Sequence, residues 1–138
     1  MEYFFDEDIL GSIGTQKYLC TISWKKGTFL MDEPSGIGGN DLGPDPFSTF
    51  LASLAGCTLS TLRMYIDRKG WDIPEIRISL NLYQETIHKG GQEKQTTIVR
   101  TISFGAISEE QKERLLVIAD KCPISKLIKG TVHINTTL

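Results

Sequence analysis

Cysteines are the residues of this 138-residue sequence with the most versatile chemistry, and there are three of them. A thiolate can attack a peroxide and become a sulfenic acid, which a second cysteine then converts to a disulfide. Cys57 and Cys122 are the candidate pair for these two steps if the fold brings them together. The alternative is structural, because a free cysteine is usually a small buried hydrophobic residue. Cys20 fits that alternative, since it alternates with Tyr18 and Ile22 on one face of a predicted strand.

The two candidate cysteines have different surroundings in the sequence. Cys57 stands in Leu54-Ala55-Gly56-Cys57-Thr58, where small neighbours leave space around the sulfur. Cys122 directly precedes Pro123, which predicts that it is the N-cap of a short helix ending before Gly130. Unpaired N–H groups and the positive end of the helix dipole then point at the Cys122 sulfur. Such surroundings lower a thiol pKa from about 8.5.

The composition is that of an ordinary globular protein, with 40% hydrophobic and 23% charged residues and a net charge of −2. We expect a single domain over residues 1–138. No basic stripe for nucleic acid and no Lys/Arg cluster for a membrane surface occurs. The acidic start is not a secretory signal, and no run approaches the ~20 apolar residues of a membrane helix. These features predict a cytoplasmic protein without nucleic-acid or membrane partners.

The spacing of the cysteines argues against a disulfide framework or a metal site. Their number is odd, and neither a CxxC nor an HxxxH motif occurs. His88 lies beside a predicted turn and should be solvated, whereas His133 alternates with apolar neighbours on a predicted strand. The glycine-rich run at residues 36–39 lacks the features of a phosphate loop and is expected to be a simple loop.

Hydrophobic periodicity and turn residues predict eight elements in the order β-β-α-β-β-α-α-β. Four local signals carry this prediction: alternation in the strands, Asp45-Pro46 before the long helix, Ser108 with Gln111 as a capping box, and the turn at residues 89–92. The predicted strands cover residues 18–24, 28–31, 76–83, 96–104 and 131–136, and the predicted helices begin at residues 46, 109 and 124. The order predicts an α+β fold with helices on one face of a mixed β-sheet.

The long helix that begins at Pro46 is apolar or small on most sides as far as Leu62. It should therefore be a buried central helix. One short chain can rarely cover such a helix, so a second protomer is expected to complete the burial.

Two segments carry a resemblance to a known family. Gly43-Pro44-Asp45-Pro46-Phe47-Ser48-Thr49-Phe50-Leu51-Ala52-Ser53-Leu54-Ala55-Gly56-Cys57-Thr58 resembles the central-helix signature of the OsmC/Ohr family. Ala119-Asp120-Lys121-Cys122-Pro123-Ile124-Ser125-Lys126 resembles its second motif. The resemblance implies an OsmC-like fold in an intertwined homodimer, with Cys57 as the peroxidatic and Cys122 as the resolving cysteine at the subunit interface. It also implies a small hydroperoxide substrate, an external thiol reductant, and no metal or organic cofactor.

The sequence departs from this family pattern in two places. The family's hydroperoxide reductases carry a Glu where this chain has Phe47, and an Arg from the N-terminal strand region that holds the thiolate. Here the first arginine is Arg63, and the nearest early cations are Lys25 and Lys26. A lysine lacks the planar fork of an arginine, so whether any of the three replaces the family's Arg stays open.

Two functions of different classes are consistent with the sequence. The first is a cysteine-based hydroperoxide reductase that uses Cys57 and Cys122. The second is a dimeric OsmC-like protein that binds a small lipophilic ligand in an apolar interface pocket, with little or no peroxidase activity. The missing Glu and Arg keep the second function open.

Overall fold

The computed structural model describes residues 2–88 and 90–138, which form two compact units divided between Phe50 and Leu51. Lys89, part of the turn predicted at residues 89–92, lies outside the described residues. The elements are β1 Leu10–Ile13, β2 Cys20–Trp24, β3 Gly27–Met31, a single 3-10 turn Ser35–Ile37, α1 Pro46–Lys69, β4 Arg77–Thr86, β5 Lys94–Ser103, α2 Glu109–Ala119 and α3 Pro123–Lys129. One domain over residues 1–138 stays a prediction.

The first unit contains a three-stranded antiparallel sheet in the order β1-β2-β3. Lys25 and Lys26 form the tight turn between β2 and β3, as the sequence predicted. Strand β1 was not predicted from the sequence. Its four residues are all exposed, so it has no buried face that an apolar pattern would mark. Its pairing with β2, from Leu10 opposite Ser23 to Ile13 opposite Cys20, makes it a strand.

The buried carboxylate of Asp32 organises the loop that follows β3. One carboxylate oxygen accepts the N–H groups of Tyr18 and Glu33, and the other accepts those of Asn40 and Leu42. Burial raises the pKa of Asp32, but these four backbone donors outweigh it, and the pKa lies below its ordinary value.

The same loop approaches its own backbone too closely for side chains at two positions. A Cβ at Gly39 would lie 1.9 Å from the Glu33 carbonyl oxygen, and a Cβ at Gly43 would lie 2.3 Å from that of Leu30. Glycine is therefore required at both positions, because the loop packs closely against its own backbone.

The second unit contains a long antiparallel hairpin of β4 and β5, in which Leu80 lies opposite Arg100. The expected alternation is present in β4, where Ile78, Leu80 and Leu82 are the less exposed residues. In β5 the less exposed face includes Arg100, and Ile102 shares that face. An arginine thus lies on the inner face of an otherwise apolar strand.

Local signals set the helix ends. The Asp45 carboxylate accepts the N–H groups of Phe47 and Ser48 at the start of α1, and Gly70, with a φ of 68°, follows its last residue. Ser108 and Gln111 form the predicted capping box of α2. Helix α3 begins at Pro123, one residue earlier than predicted, with Cys122 as its N-cap.

One side of α1 packs into the core of the second unit. Leu62 and Ile66 of α1 are fully buried, and so is Leu115 of α2. In the single chain Gly56 and Met64 of α1 are exposed, and the burial of the helix on most sides as far as Leu62 stays a prediction for a dimer. Met64 is 72% accessible. A single chain has too few elements to cover the remaining sides.

The α+β content agrees with the sequence prediction, but the pairing of the strands differs. The described strands form two antiparallel sheets rather than one mixed sheet. Strands joined by a short turn pair antiparallel, whereas a parallel pair needs a long crossover. The predicted final strand at residues 131–136 is wrong for the single chain, since this exposed segment has no regular structure. Alternation of side chains does not make a strand without a neighbour to pair with. Within the described residues, no helix is both long and apolar enough to cross a membrane.

Candidate active site

The fold brings Cys57 and Cys122 into hydrogen-bonding contact. Cys57 lies in the middle of α1, and Cys122 lies between α2 and α3. Their sulfur atoms are hydrogen-bonding partners. Cys122 is completely buried, whereas Cys57 is partly accessible in the single chain. Both thiols are free, so this contact joins two reduced cysteines.

Cys122 is the more readily ionised thiol of the pair. Burial opposes its ionisation, but a hydrogen bond from the Cys57 thiol acts in the other direction. The backbone N–H and hydroxyl of Ser125 and the hydroxyl of Thr58 also favour the thiolate. Together these donors lower the pKa of Cys122 from 9.0 to about 7. Cys122 is the N-cap residue of α3, as the sequence predicts.

Cys57 has the opposite tendency. Burial raises the pKa of the Cys57 thiol, and the hydrogen bond to Cys122 raises it further because Cys57 is the donor. The backbone N–H of Ile124 and the hydroxyl of Thr61 only partly offset these effects. Cys122 is therefore the first thiol of the pair to ionise, and the proton of Cys57 stabilises the resulting thiolate.

An arginine of the second unit, Arg100, is bound to the same hydroxyl groups. The Nη1 atom of Arg100 donates to Thr58 Oγ1 and to Ser125 Oγ, each at 2.9 Å. Its Nη2 atom donates to Asp120 Oδ1 at 3.0 Å. Only 16% of the Arg100 side chain is accessible, so the ion pair with Asp120 is partly shielded from solvent. Arg100 is thus one hydroxyl group away from the Cys122 sulfur.

Arg100 also lines a pocket of about 570 Å³. Apolar side chains from α1, β5 and α2 line it, among them Leu54, Ile98 and Leu116. Arg100 and Lys129 are the cations in its wall. The part of the chain that the structure describes holds no group of three or more His, Cys, Asp or Glu side chains arranged for a metal ion.

A family model described as OsmC-like protein matches residues 38–137, which include both cysteines. The chain belongs to the OsmC-like family. No curated protein sequence matches it.

Solved structures share the OsmC-like fold at low sequence identity. The OsmC-like protein from Mycoplasma pneumoniae is 20% identical, with a TM-score of 0.68 over 91% of this chain and 90% of that one. An organic hydroperoxide resistance protein OsmC from Legionella pneumophila is 16% identical, with a TM-score of 0.68 over 94% and 93%. The organic hydroperoxide resistance protein OhrB of Bacillus subtilis is 18% identical, with a TM-score of 0.65 over 93% of each chain. These likenesses confirm the predicted fold.

The structure shows the local surroundings of the cations that the sequence offered for this OsmC-like site. Arg63 donates to Asp67 in its own helix and to the carbonyl oxygen of Pro74 in the loop that follows, each at 3.3 Å. Lys25 and Lys26 occupy the turn of the first sheet. Phe47, which stands where the family's reductases have a Glu, is exposed in the first turn of α1.

The structure also shows the local surroundings of Cys20, His88 and His133. Cys20 is only partly buried on β2, and its thiol lies 3.7 Å from the Tyr18 carbonyl oxygen. His88 is exposed and pairs with Glu93 at 3.0 Å, as expected for a residue beside a turn. His133 is exposed in the segment that is not a strand.

Sequence reasoning missed Arg100, Thr58 and Ser125 as parts of the site. The signal for Arg100 was present, because alternation places it on the same face as Ile98 and Ile102, where a charge is unexpected. Thr58 and Ser125 gave no such signal, since a hydroxyl within a helix normally bonds the backbone of its own helix.

Proposed function

We propose that this protein is a thiol-dependent peroxidase that reduces organic or hydrogen peroxides through Cys57 and Cys122. The observation that carries the proposal is the hydrogen-bonded pair of thiols, one of which has a pKa of about 7. A thiolate near neutral pH is what attack on a peroxide requires. The names of two proteins of the same fold, organic hydroperoxide resistance proteins from Legionella pneumophila and Bacillus subtilis, agree with this chemistry.

Cys57 is assigned the attacking role because it is the more accessible sulfur. The Cys122 thiolate accepts the proton that Cys57 already donates to it, and Cys57 becomes the thiolate. The Cys57 sulfur then attacks one peroxide oxygen, and the O–O bond breaks. Cys57 becomes a sulfenic acid, and the departing alkoxide takes from solvent the proton that the cysteine pair released when it ionised and leaves as an alcohol.

Cys122 is assigned the resolving role because its sulfur already contacts Cys57. The Cys122 thiol loses its proton, its sulfur attacks the sulfenic sulfur, and hydroxide leaves as water. The sum is that two thiols and one hydroperoxide give a disulfide, an alcohol and water. An external thiol reductant returns two electrons and two protons to the pair. Because the cycle needs reduced cysteines, it suits the cytoplasm, where thiols are kept reduced.

A thiol titration with cumene hydroperoxide tests the function. One equivalent of the peroxide should remove two thiols per chain, and dithiothreitol should restore both. The Cys57→Ser variant should consume no peroxide, whereas Cys122→Ser should stop after a single oxidation to the sulfenic acid. Cys20→Ser is the matched control and should behave like the wild type. If the Cys57→Ser protein gains oxygen at Cys122 at the normal rate, the two roles are reversed.

A second candidate function is supported by the apolar pocket beside Arg100. Its volume of about 570 Å³ is in the range of small-molecule sites. In this reading the protein binds a lipophilic ligand and its thiols are incidental. The same titration separates the two functions, because a binding protein would lose no thiol rapidly.

We also propose that the protein acts as an obligate homodimer. The exposed side of α1 includes Gly56 and Met64, and the exposed segment at residues 131–136 has the alternation of a strand that lacks a partner. A second chain would cover the helix and pair with the segment. Sedimentation should therefore find a dimer at micromolar concentration, and a folded monomer there would refute this.

Gly56→Leu gives a sharper test of the dimer. A side chain at Gly56 meets nothing within 4 Å in the single chain, so the protomer can accept it. If two α1 helices meet at this side, the added leucine should weaken the dimer. Lys112→Leu, at an exposed position of α2, is the control for a general effect of added apolar surface.

A further inference from the structure

The guanidinium group of Arg100 has fixed partners and a fixed charge. Its Nη1 atom donates one hydrogen bond to each of two hydroxyl groups, those of Thr58 and Ser125. Asp120 holds Nη2 from the solvent side. An arginine has donors only and stays protonated. Both hydroxyl groups must therefore accept from Arg100.

This acceptance fixes the directions of the two hydroxyl protons. A hydroxyl has one proton, and its lone pairs here face Arg100. The Ser125 proton is left to point at the Cys122 sulfur, which is a hydrogen-bonding partner of that side chain. The Thr58 proton is donated to the carbonyl oxygen of Leu54, at 2.8 Å from Thr58 Oγ1.

We propose that Arg100 is the positioning residue of this site, because it turns the proton of the Ser125 hydroxyl toward the Cys122 sulfur. A sulfur that receives such a proton is favoured as a thiolate, which only accepts, over a thiol, which must place its own proton. Arg100 does not need to touch the sulfur. It acts through Ser125, and its positive charge lies beyond that hydroxyl group. The inference deepens the proposed function and rests on it.

The experiment measures the ionisation of the cysteine pair, which does not depend on peroxide turnover. The background is the Cys20→Ser protein, in which the titration of the ultraviolet thiolate absorbance reports only Cys57 and Cys122. Arg100→Gln removes the charge and should raise the midpoint of the first ionisation by about one pH unit. Arg100→Lys keeps the charge without the fork and should give a smaller rise. A smaller rise in Arg100→Lys than in Arg100→Gln is a result that a purely structural role of Arg100 would not produce.

The matched control is Arg114→Gln. Arg114 also donates to a side-chain hydroxyl of the second unit, that of Tyr65, at 2.8 Å. It is not bonded to either hydroxyl that Arg100 contacts. The midpoint should stay at the wild-type value in this variant. An equal shift in both variants would overturn the inference, because it would reflect overall charge.

A double-mutant cycle tests the route through the hydroxyl. Ser125→Ala should itself raise the midpoint, and Arg100→Gln should then add less than it does in the presence of Ser125. Additive shifts would refute the relay. If Arg100→Gln fails to fold, Arg100→Lys and Ser125→Ala still decide the matter, since unchanged midpoints in both would also overturn it. If the midpoints move as expected while peroxide is not consumed, the proposed function fails and the positioning role stands.

Discussion

The ionisation of the buried Cys122 thiol should be visible as a pH dependence of stability. Its pKa is about 7 in the folded chain and 9.0 in its ordinary state. Below pH 7 the thiol is protonated in both states and contributes nothing. Between pH 7 and 9 only the unfolded chain still holds the proton, so the free energy of unfolding should rise with pH. Above pH 9 the contribution is complete, at about 2–3 kcal/mol, because one pKa unit corresponds to about 1.36 kcal/mol.

Cys57 sets the upper limit of this window. Its pKa in the folded chain is raised above the ordinary value of 9.0. Above pH 9 the unfolded chain loses this proton while the folded chain keeps it, so stability should fall again. The expected profile therefore has a maximum near pH 9.

Urea unfolding at a series of pH values, in the presence of a reductant and at one fixed protein concentration, measures this profile. Cys122→Ser is the comparison, since serine is a good N-cap and keeps α3 while removing the titrating thiol. The difference in unfolding free energy between the wild type and this variant should grow between pH 7 and 9. Taking the difference separates the effect of Cys122 from that of the other titrating groups. Parallel curves over that range would show that the donors around Cys122 do not favour its thiolate.

Substitutions at three positions test further local features of the structure. Cys57→Ala removes the hydrogen bond that most lowers the pKa of Cys122, so the midpoint of thiolate absorbance should rise, whereas Cys57→Ser keeps a donor and should shift it less. Leu62→Ala empties a fully buried core position and should cost about 2–5 kcal/mol of unfolding free energy, measured by urea denaturation. Ser108→Ala removes the α2 cap and should cost about 1 kcal/mol, and Ser108→Asp should retain most of the stability. A loss in Ser108→Asp as large as in Ser108→Ala would contradict the capping role.

Features that depend on neighbouring residues were readable from the sequence. The start of α1 at Pro46 and its end before Gly70 follow from an N-cap carboxylate and a glycine in the left-handed region. The capping box of α2 and the N-cap position of Cys122 are equally local. These signals act within a turn or two of chain, so the sequence alone carries them.

Features that depend on distant partners were not readable in the same way. The contact of Cys57 with Cys122 could only be a conditional expectation, since the fold creates it. Arg100 was missed because its partners come from α1 and α3, far from β5 in the chain. The strand predicted at residues 131–136 failed for a related reason, since a strand exists only where another one bonds to it.

The four hydrogen bonds to Asp32 have a consequence for conservative replacement in the loop before α1. Each carboxylate oxygen accepts two backbone N–H groups, so all four lone pairs are used. Asparagine has almost the same shape, but its amide group would direct two protons at two of these N–H groups. Glutamate keeps both acceptors but moves them outward by one methylene, into a loop already closed against Gly39. Neither substitution is therefore conservative at this position. Asparagine keeps the shape of the side chain but loses acceptors, whereas glutamate keeps the acceptors but moves them.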